Sequence, residues 1–247
     1  MIKSALAASV AFAAAVHATV QGFDISHYQS SVDFAAAYKA GARFVIIKVR
    51  SIAQHHTHNT VSDPTCPRQA TEGTTYIDPS FSSHYTGATN AGLIRGGYHF
   101  AHPSSSTSTA TAQADYFIAH GGGWSGDGIT LPGMLDLESE SSGECWGLSA
   151  SAMVAWIKAF SDRYHSREGV YPLLYTNPSW WKDCTGNSNA FVNTNPLVLA
   201  HYSSTVGTIP GGWAYQTIWQ NSDSYAYGGD SDIFNGSLDR LQALARG

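Results

Sequence analysis

The sequence predicts an α/β fold built as a single (β/α) barrel of about eight mostly parallel strands, with fewer and irregular helices. Short apolar segments rich in β-branched residues alternate with stretches of helical character, an order typical of a parallel sheet covered by helices. Several segments are apolar almost throughout, as expected for strands buried on both faces. About eight strands in a domain of this length favour a closed barrel over an open sheet.

Eight segments have the length and composition of strands. They are residues 21–26, 44–48, 96–100, 133–138, 172–176, 197–201, 217–220 and 232–234. The first and last become neighbours when a barrel closes. Polar or acidic residues stand at the ends of several of them, where barrel enzymes place their active sites.

The clearest helix is predicted at residues 149–165, with Ser149 as its N-cap. Its apolar stripe has helical spacing and consists of Met153, Trp156, Ile157 and Phe160. Shorter helices are predicted at residues 34–40, 80–90, 109–120 and 237–245. Pro196, Pro210 and the Gly211-Gly212 pair predict loops rather than helices in the second half of the chain.

The first 18 residues are typical of a secretory signal peptide. Lys3 is followed by an apolar, alanine-rich stretch over residues 5–16 and by small residues at Ala18 and Thr19. The apolar stretch is shorter than the roughly 20 residues that span a bilayer. We therefore expect a secreted, extracellular protein whose catalytic domain is residues 19–247.

Charge and composition narrow the classes of partner. The formal net charge is −5 and the chain has no basic block, so we expect neither nucleic-acid binding nor, without a further apolar segment, membrane association. Only 13% of residues are charged, whereas Gly, Tyr and Trp are plentiful. Such a surface suits neutral polar ligands, sugars among them. Three cysteines, Cys66, Cys145 and Cys184, predict one disulfide in an oxidising compartment, and the residues alone leave its pairing open.

Two acids at the end of the fourth strand are the first candidates for chemistry. On a strand, residues two apart face the same side, so Asp136 and Glu138 point one way and Leu135 and Leu137 the other. Burying two carboxyls together raises at least one pKa, which keeps one protonated as a general acid while its neighbour stays ionised. Taken alone, the pair fits equally well two acids exposed to solvent at a strand end.

Further acids favour a shared site over solvent exposure. Asp24 ends the first strand, and Asp230 and Asp232 lie near the last. In a closed barrel these acids converge with Asp136 and Glu138 on one mouth. The aromatic residues predicted to line the same cup are Tyr98, Phe100, Tyr175 and Trp219. An acidic cup walled by aromatic rings suits an oxocarbenium-like transition state.

Six short motifs, in order and spacing, resemble glycoside hydrolase family 25, the Chalaropsis-type lysozymes, and the chain is similar to secreted fungal members. The motifs are Gly22-Phe23-Asp24-Ile25-Ser26, Gly97-Tyr98-His99-Phe100, Asp136-Leu137-Glu138, Tyr175-Thr176-Asn177, Trp219-Gln220 and Phe234-Asn235-Gly236. The resemblance implies a (β/α) barrel that hydrolyses the β-1,4 bond from N-acetylmuramic acid to N-acetylglucosamine in bacterial peptidoglycan. It implies no cofactor and no metal, and we expect a monomer.

The resemblance also distributes roles among the acids. Glu138 matches the general acid/base, and Asp136 matches the partner that holds the substrate's N-acetyl group while its oxygen attacks the anomeric carbon, a retaining route without an enzyme nucleophile. Asp24 matches a further active-site acid. Asp230 matches the last one, with Asp232 as its rival.

Two further features follow from the resemblance. Glu72 matches a residue that lines the site region of the family. Fungal members carry one disulfide, which Cys145 and Cys184 would supply.

Residues 49–69 do not fit the family pattern. In the family, the second strand runs directly into an Ala-Thr-Glu-Gly turn, which begins here only at Ala70. Valine codons begin with GT, Gln69 can be encoded by CAG, and Ser62-Asp63 can encode CTGAC, as in a splice donor, acceptor and branch point. We therefore interpret residues 49–69 as an insertion that arose from a retained intron. The rival interpretation is a zinc site, but the spacing of the residues of zinc-binding type lacks a paired motif: His55, His56, His58 and Cys66.

Two other functions compete with a lysozyme. A chitinase-like glycosidase of the D-x-E barrel type has two further aspartates before the final pair, and Pro132 and Met134 occupy those places here. A non-catalytic wall-binding barrel is expected to lack some of the acids, and this chain has all of them.

The retained-intron hypothesis makes a prediction for the secreted native protein. Trypsin would release residues 51–68 as one peptide if the segment were translated, because Arg50 and Arg68 flank it. We expect mass spectrometry of the secreted protein to find no such peptide. Its detection would contradict the hypothesis.

Overall fold

The fold is described here from a computed structural model, over residues 18–50, 74, 78, 80–140 and 143–247. Residues 1–17 of the predicted signal peptide lie outside these ranges, as do Cys66, Glu72 and the zinc-type histidines. Of the suspected insertion, only Val49 and Arg50 are described, and they end the second strand. The signal peptide and the insertion therefore stay predictions.

Eight strands close into one barrel in chain order. They are β1 Val20–Ile25, β2 Phe44–Arg50, β3 Ile94–Phe100, β4 Met134–Asp136, β5 Leu173–Thr176, β6 Leu197–Ala200, β7 Ile218–Ser222 and β8 Asp230–Phe234. Strands β1 to β7 are parallel to one another, and β8 runs antiparallel to its two neighbours, β7 and β1. The predicted barrel of mostly parallel strands is confirmed.

Helices of the described ranges pack outside this barrel. They are α1 Phe34–Lys39, α2 Phe81–Asn90, α3 Thr107–Phe117 with a π-helical turn at Ile118–Gly122, α4 Ala150–Glu168, α5 Pro178–Thr185 and α6 Leu238–Arg246. The sequence analysis predicted all of them except α5. Within residues 143–247, β6 and β7 are not followed by helices, as the prolines and glycines there predicted.

Helix α5, which the sequence analysis did not predict, is short and begins with a side-chain N-cap followed by a proline. Pro178 occupies its first turn, where the absent N–H is not needed, and the Asn177 side chain accepts a hydrogen bond from the Trp180 N–H at 2.9 Å. Trp180 and Trp181 are both buried. They are therefore packing residues of the core outside the barrel.

Side chains alternate between two apolar layers. The outer layer, between sheet and helices, contains Leu135 and Leu137 together with the stripe of α4, in which Met153 and Trp156 are fully buried as predicted. The inner layer fills the barrel below its mouth with Phe44, Ile46, Ile94, Met134, Leu173, Val198, Ile218 and Phe234. The barrel is therefore a packed core, and only its upper end is left for polar side chains.

The fourth strand is shorter than predicted. β4 ends at Asp136, although the Leu137 N–H still donates to the Tyr175 carbonyl at 3.0 Å. Glu138 lies beyond this last bond to β5. The prediction that both acids stand on one strand is therefore wrong for Glu138, because the chain leaves the sheet between them.

A disulfide joins Cys145, in the loop after β4, to Cys184 in α5, with 5.1 Å between their Cα atoms. This is the pairing that the family resemblance implied. Within the described residues, no helix combines the length and apolar character needed to cross a bilayer.

The Tyr164 hydroxyl of α4 bridges two backbone groups just before β4. Removing this hydroxyl should therefore lower the stability of the protein. The fully buried hydroxyl accepts from the Gly133 N–H at 2.7 Å and donates to the Gly122 carbonyl at 2.8 Å. Tyr164→Phe leaves both backbone groups buried without this partner. We expect the free energy of unfolding in urea to fall by about 1–3 kcal/mol.

The matched control for Tyr164→Phe is Tyr215→Phe. Tyr215 is 64% exposed, so its change should stay within about 0.5 kcal/mol. Equal stabilities of the two variants would contradict the bridging role of Tyr164.

Candidate active site

The acids of β1 and β8 meet at the mouth of the barrel because β8 is antiparallel. The first residue of β8, Asp230, lies directly opposite Asp24 near the carboxyl end of β1, and Asp232 lies opposite Gly22. Directly opposed residues of antiparallel strands point to the same face. Asp24 and Asp230 are therefore neighbours at the mouth, and Asp232 lies one step deeper.

Asp136 enters the same mouth from the other side of the barrel. It is in register with Phe100 of β3 and Tyr175 of β5. Tyr98, two residues before Phe100, packs with the inner layer, so these three aromatic residues face the barrel interior together with Asp136. The arrangement agrees with the predicted cup for Tyr98, Phe100 and Tyr175.

Trp219 does not belong to that cup. It is in register with Leu199, a residue of the outer layer, and its indole N–H donates to the His201 carbonyl at 2.8 Å. Because neighbours on a strand alternate, the next residue, Gln220, faces the acids instead. The expectation that Trp219 lines the cup is therefore corrected in favour of Gln220.

Gln220 links the acids to two tyrosines. Its amide nitrogen donates to Asp24 Oδ2 at 2.7 Å and to Asp230 Oδ2 at 3.3 Å. Its amide oxygen accepts from the hydroxyls of Tyr175, at 2.8 Å, and Tyr202, at 3.0 Å. Two O–H donors on one end of the amide thus direct its N–H groups at the carboxyls.

The acids at the mouth hold protons more tightly than isolated carboxyls do. Burial, followed by the charge of Asp230, raises the pKa of Asp24 to about 8, against the hydrogen bond from Gln220 that lowers it. Burial also raises the pKa of Asp230, with a further contribution from Asp223. Burial of like charges that repel one another therefore keeps part of the cluster protonated at neutral pH.

Asp136 and Glu138 both have raised pKa values. Burial raises the pKa of both carboxyls; the charge of Glu138 raises that of Asp136 further, and the charge of Asp230 raises that of Glu138. The charge of Lys48 acts against both shifts. Both carboxyls therefore keep their protons to a higher pH than an isolated acid does.

Lys48 is the cation that the sequence analysis missed. Its ammonium nitrogen lies 5.0 Å from the centre of the Phe100 ring and 5.4 Å from that of Tyr98. Its charge lowers the pKa of Asp24 as well as those of Asp136 and Glu138. The sequence does contain a sign of this role, because Lys48 follows an apolar strand segment in the same way as the acids do.

Asp232 differs from the other acids. It is 1% exposed, and neither carboxyl oxygen has a hydrogen-bond partner among the described residues. Burial, with the charges of Asp24 and Asp230, raises its pKa well above the usual range. Of the two acids between which the family resemblance left the choice open, Asp230 lies at the mouth and Asp232 lies buried beneath it.

His99, in the third strand, packs on the outer side of the sheet. It is fully buried, its Nε2 lies 3.0 Å from Gln113 Oε1, and its ring packs against Phe117 and Phe160. It therefore belongs to the core outside the barrel. Tyr202, by contrast, is 54% exposed at the mouth, and sequence analysis missed it because it lies in an irregular loop after β6.

Comparison with known proteins shows the family of this chain. The model of the glycosyl hydrolases family 25 matches residues 65–230. The chain belongs to glycosyl hydrolase family 25. A curated relative, the N,O-diacetylmuramidase of Chalaropsis sp, is 68% identical over 234 residues, covering 93% of this chain and 100% of the relative. The N,O-diacetylmuramidase of Arthroderma benhamiae is 59% identical, covering 93% of this chain and 88% of the relative.

A solved structure also resembles this family 25 chain. The muramidase from Trichobolus zukalii superposes with a TM-score of 0.82 at 62% identity, covering 92% of this chain and 99% of the other. The barrel described above is therefore the fold of the family.

The raised pKa of Asp24 predicts that neutralising this residue stabilises the family 25 barrel. A carboxyl whose pKa is higher in the folded than in the unfolded chain stabilises the fold below its unfolded pKa, and this contribution is lost as pH rises through the folded pKa. For Asp24 the window runs from 3.8 to about 8. We expect Asp24→Asn to raise the free energy of unfolding at pH 7 and to flatten its decline across this window, measured by urea unfolding.

Asp183→Asn, at an exposed position of α5, is the control for Asp24→Asn and should leave the pH dependence unchanged. An Asp24→Asn protein with the wild-type pH slope would show that Asp24 is not held protonated by the fold.

Proposed function

We propose that this chain is a lysozyme, an N-acetylmuramidase that hydrolyses the β-1,4 bond between N-acetylmuramic acid and N-acetylglucosamine in bacterial peptidoglycan. The observation that carries the proposal is the placement of Asp136 and Glu138 at the mouth of an acid-lined barrel, where burial raises the pKa of both carboxyls. The muramidases among its relatives support the choice of substrate. The proposal includes secretion, since the Cys145–Cys184 disulfide suits an oxidising compartment.

Glu138 is the proton donor in this proposal. It is less buried than Asp136, and beyond the last sheet bond it extends toward the open mouth. From there its carboxylic acid protonates the glycosidic oxygen as the bond to the anomeric carbon breaks. As a carboxylate it then removes a proton from the incoming water, which completes hydrolysis with both acids restored.

Asp136 holds the substrate's own nucleophile. Its Oδ1 atom is buried and has no hydrogen-bond partner among the described residues, so it is free to accept the N–H of an N-acetyl group. That bond favours the ionised form of Asp136, and the negative charge of Asp136 in turn helps Glu138 to keep its proton. The acetamido oxygen, aligned by the same bond, attacks the anomeric carbon to form a cyclic oxazolinium ion. Water opens it with net retention.

The remaining residues of the mouth prepare the site for a positive transition state. The carboxyl oxygens of Asp24 and Asp230 face the developing oxocarbenium ion, and hydrogen bonds from Gln220 hold them in place. The positive charge of Lys48 reduces the electrostatic repulsion among the carboxyls of the mouth. Phe100 and Tyr175 present aromatic surface beside Asp136, against which a pyranose ring can pack.

Glu138→Gln tests the proton donor. The amide cannot protonate the leaving oxygen, so we expect the rate of clearing of a bacterial wall suspension to fall by about 10²–10⁴-fold. Folding, followed by thermal unfolding, should be retained. Glu144→Gln is the matched control, because Glu144 is an exposed glutamate in the same loop, and its activity should equal that of the wild type.

Three outcomes would count against the proposal. Full activity of the Glu138→Gln variant would show that Glu138 takes no part in the chemistry. Wall binding by the wild type without release of reducing ends would instead identify a non-catalytic wall-binding barrel. Cleavage of chitin with intact peptidoglycan would identify a chitinase.

Asp136→Asn tests assistance by the substrate. Without the charge that orients the N-acetyl group, we expect kcat on a soluble peptidoglycan tetramer to fall by about two orders of magnitude or more. The initial product of the wild type should retain the β configuration in proton NMR. Near-full activity of Asp136→Asn, or an initial α product, would contradict the substrate-assisted route.

A further inference from the structure

Glu138 lies outside the sheet, so a contact other than the strand ladder must hold it. Its carbonyl oxygen accepts a hydrogen bond of 3.0 Å from the indole N–H of Trp146. This bond closes the loop after β4 on itself, eight residues along the chain. Because the side chain of a residue follows its own peptide units, the bond fixes the direction from which the Glu138 carboxyl enters the mouth.

Trp146 has a backbone conformation that a bulky residue adopts only under constraint. Its φ is +57°, in the left-handed region, where a bulky side chain is strained against its own backbone. Hydrogen bonds from the Trp146 N–H to the Gly143 carbonyl, and from the Leu148 N–H to the Cys145 carbonyl, form tight turns on both sides. The surrounding structure therefore imposes this conformation.

Two groups of contacts supply that constraint. On one side the Trp146 ring packs edge-on against His102, with 4.7 Å between ring centres, and against Phe100 of the cup at 6.3 Å. On the other side the preceding residue, Cys145, is bonded to Cys184 of α5. The indole N–H of Trp180, also in α5, donates to the Glu144 carbonyl at 2.8 Å.

We propose that Trp146 is a positioning residue for Glu138, held in place by the Cys145–Cys184 disulfide. The proposal rests on the proposed function, in which Glu138 is the proton donor. Trp146 acts through its N–H on the main chain of Glu138 and takes no proton itself. Placing a general acid to within about 0.5 Å is worth orders of magnitude in rate, so losing this bond should reduce turnover rather than binding.

The decisive variant is Trp146→Phe, which keeps an aromatic ring but removes the N–H donor. On a soluble tetramer of alternating N-acetylglucosamine and N-acetylmuramic acid, we expect kcat to fall by about 10–100-fold, while KM changes less than about threefold. The alkaline limb of the kcat profile should also shift, because Glu138 leaves its set position beside Asp136 and Lys48. Trp213→Phe is the control: its indole N–H donates to the Asn195 carbonyl at 2.9 Å, away from the loop.

The Trp213→Phe variant should lose stability without loss of kcat, whereas unchanged kcat and pH profile in Trp146→Phe would overturn the positioning role. A rise in KM alone would also overturn it, since it would identify Trp146 as a sugar-binding surface. A wild type that does not hydrolyse the tetramer would overturn the proposed function and this proposal with it.

The disulfide is tested separately by Cys145→Ser combined with Cys184→Ser, which also serves if Trp146→Phe fails to fold. We expect this variant to lose kcat with KM unchanged. Adding Trp146→Phe to it should then cost much less than Trp146→Phe costs alone, because both changes remove the same constraint. Full kcat without the disulfide, or additive losses, would overturn the link from the disulfide through Trp146 to Glu138.

Discussion

The site depends on one electrostatic constraint, the burial of several carboxyls around one mouth with Lys48 as the described cation whose charge acts on them. Water screens these groups only weakly, so ionising all of them together is unfavourable. Part of the cluster therefore keeps its protons at neutral pH. An enzyme that needs a protonated acid beside an ionised one obtains both from this constraint.

The barrel core offsets the free-energy cost of these buried carboxyls. An apolar layer fills the lower interior; its burial stabilises the fold, and only the upper end is left for charged groups. The antiparallel last strand brings Asp230 opposite Asp24, and Gln220 bonds to both. Repulsion that destabilises the fold is thereby concentrated where the chemistry uses it, as is common for active sites.

The sequence was sufficient for the architecture because its signals are local. Apolar runs gave the strands, the stripe of Met153 and Trp156 gave α4, and strand ends gave the acids. The sequence was not sufficient to predict which way single side chains point. Trp219 points outward because the neighbouring strands determine which face of a short strand turns inward. Glu138 lies outside β4 because the chain leaves the sheet beyond Leu137. Helix α5 was missed because packing of Trp180 and Trp181 stabilises it rather than a long periodic pattern.

In the proposed function, the acids of this mouth cleave the bond on the reducing side of N-acetylmuramic acid. The most direct test is to digest purified bacterial wall, reduce the new chain ends with borohydride and identify the sugar alcohol after acid hydrolysis. We predict muramitol from the wild type and none above background from Glu138→Gln. Glucosaminitol in its place, or no new reducing ends, would contradict the account.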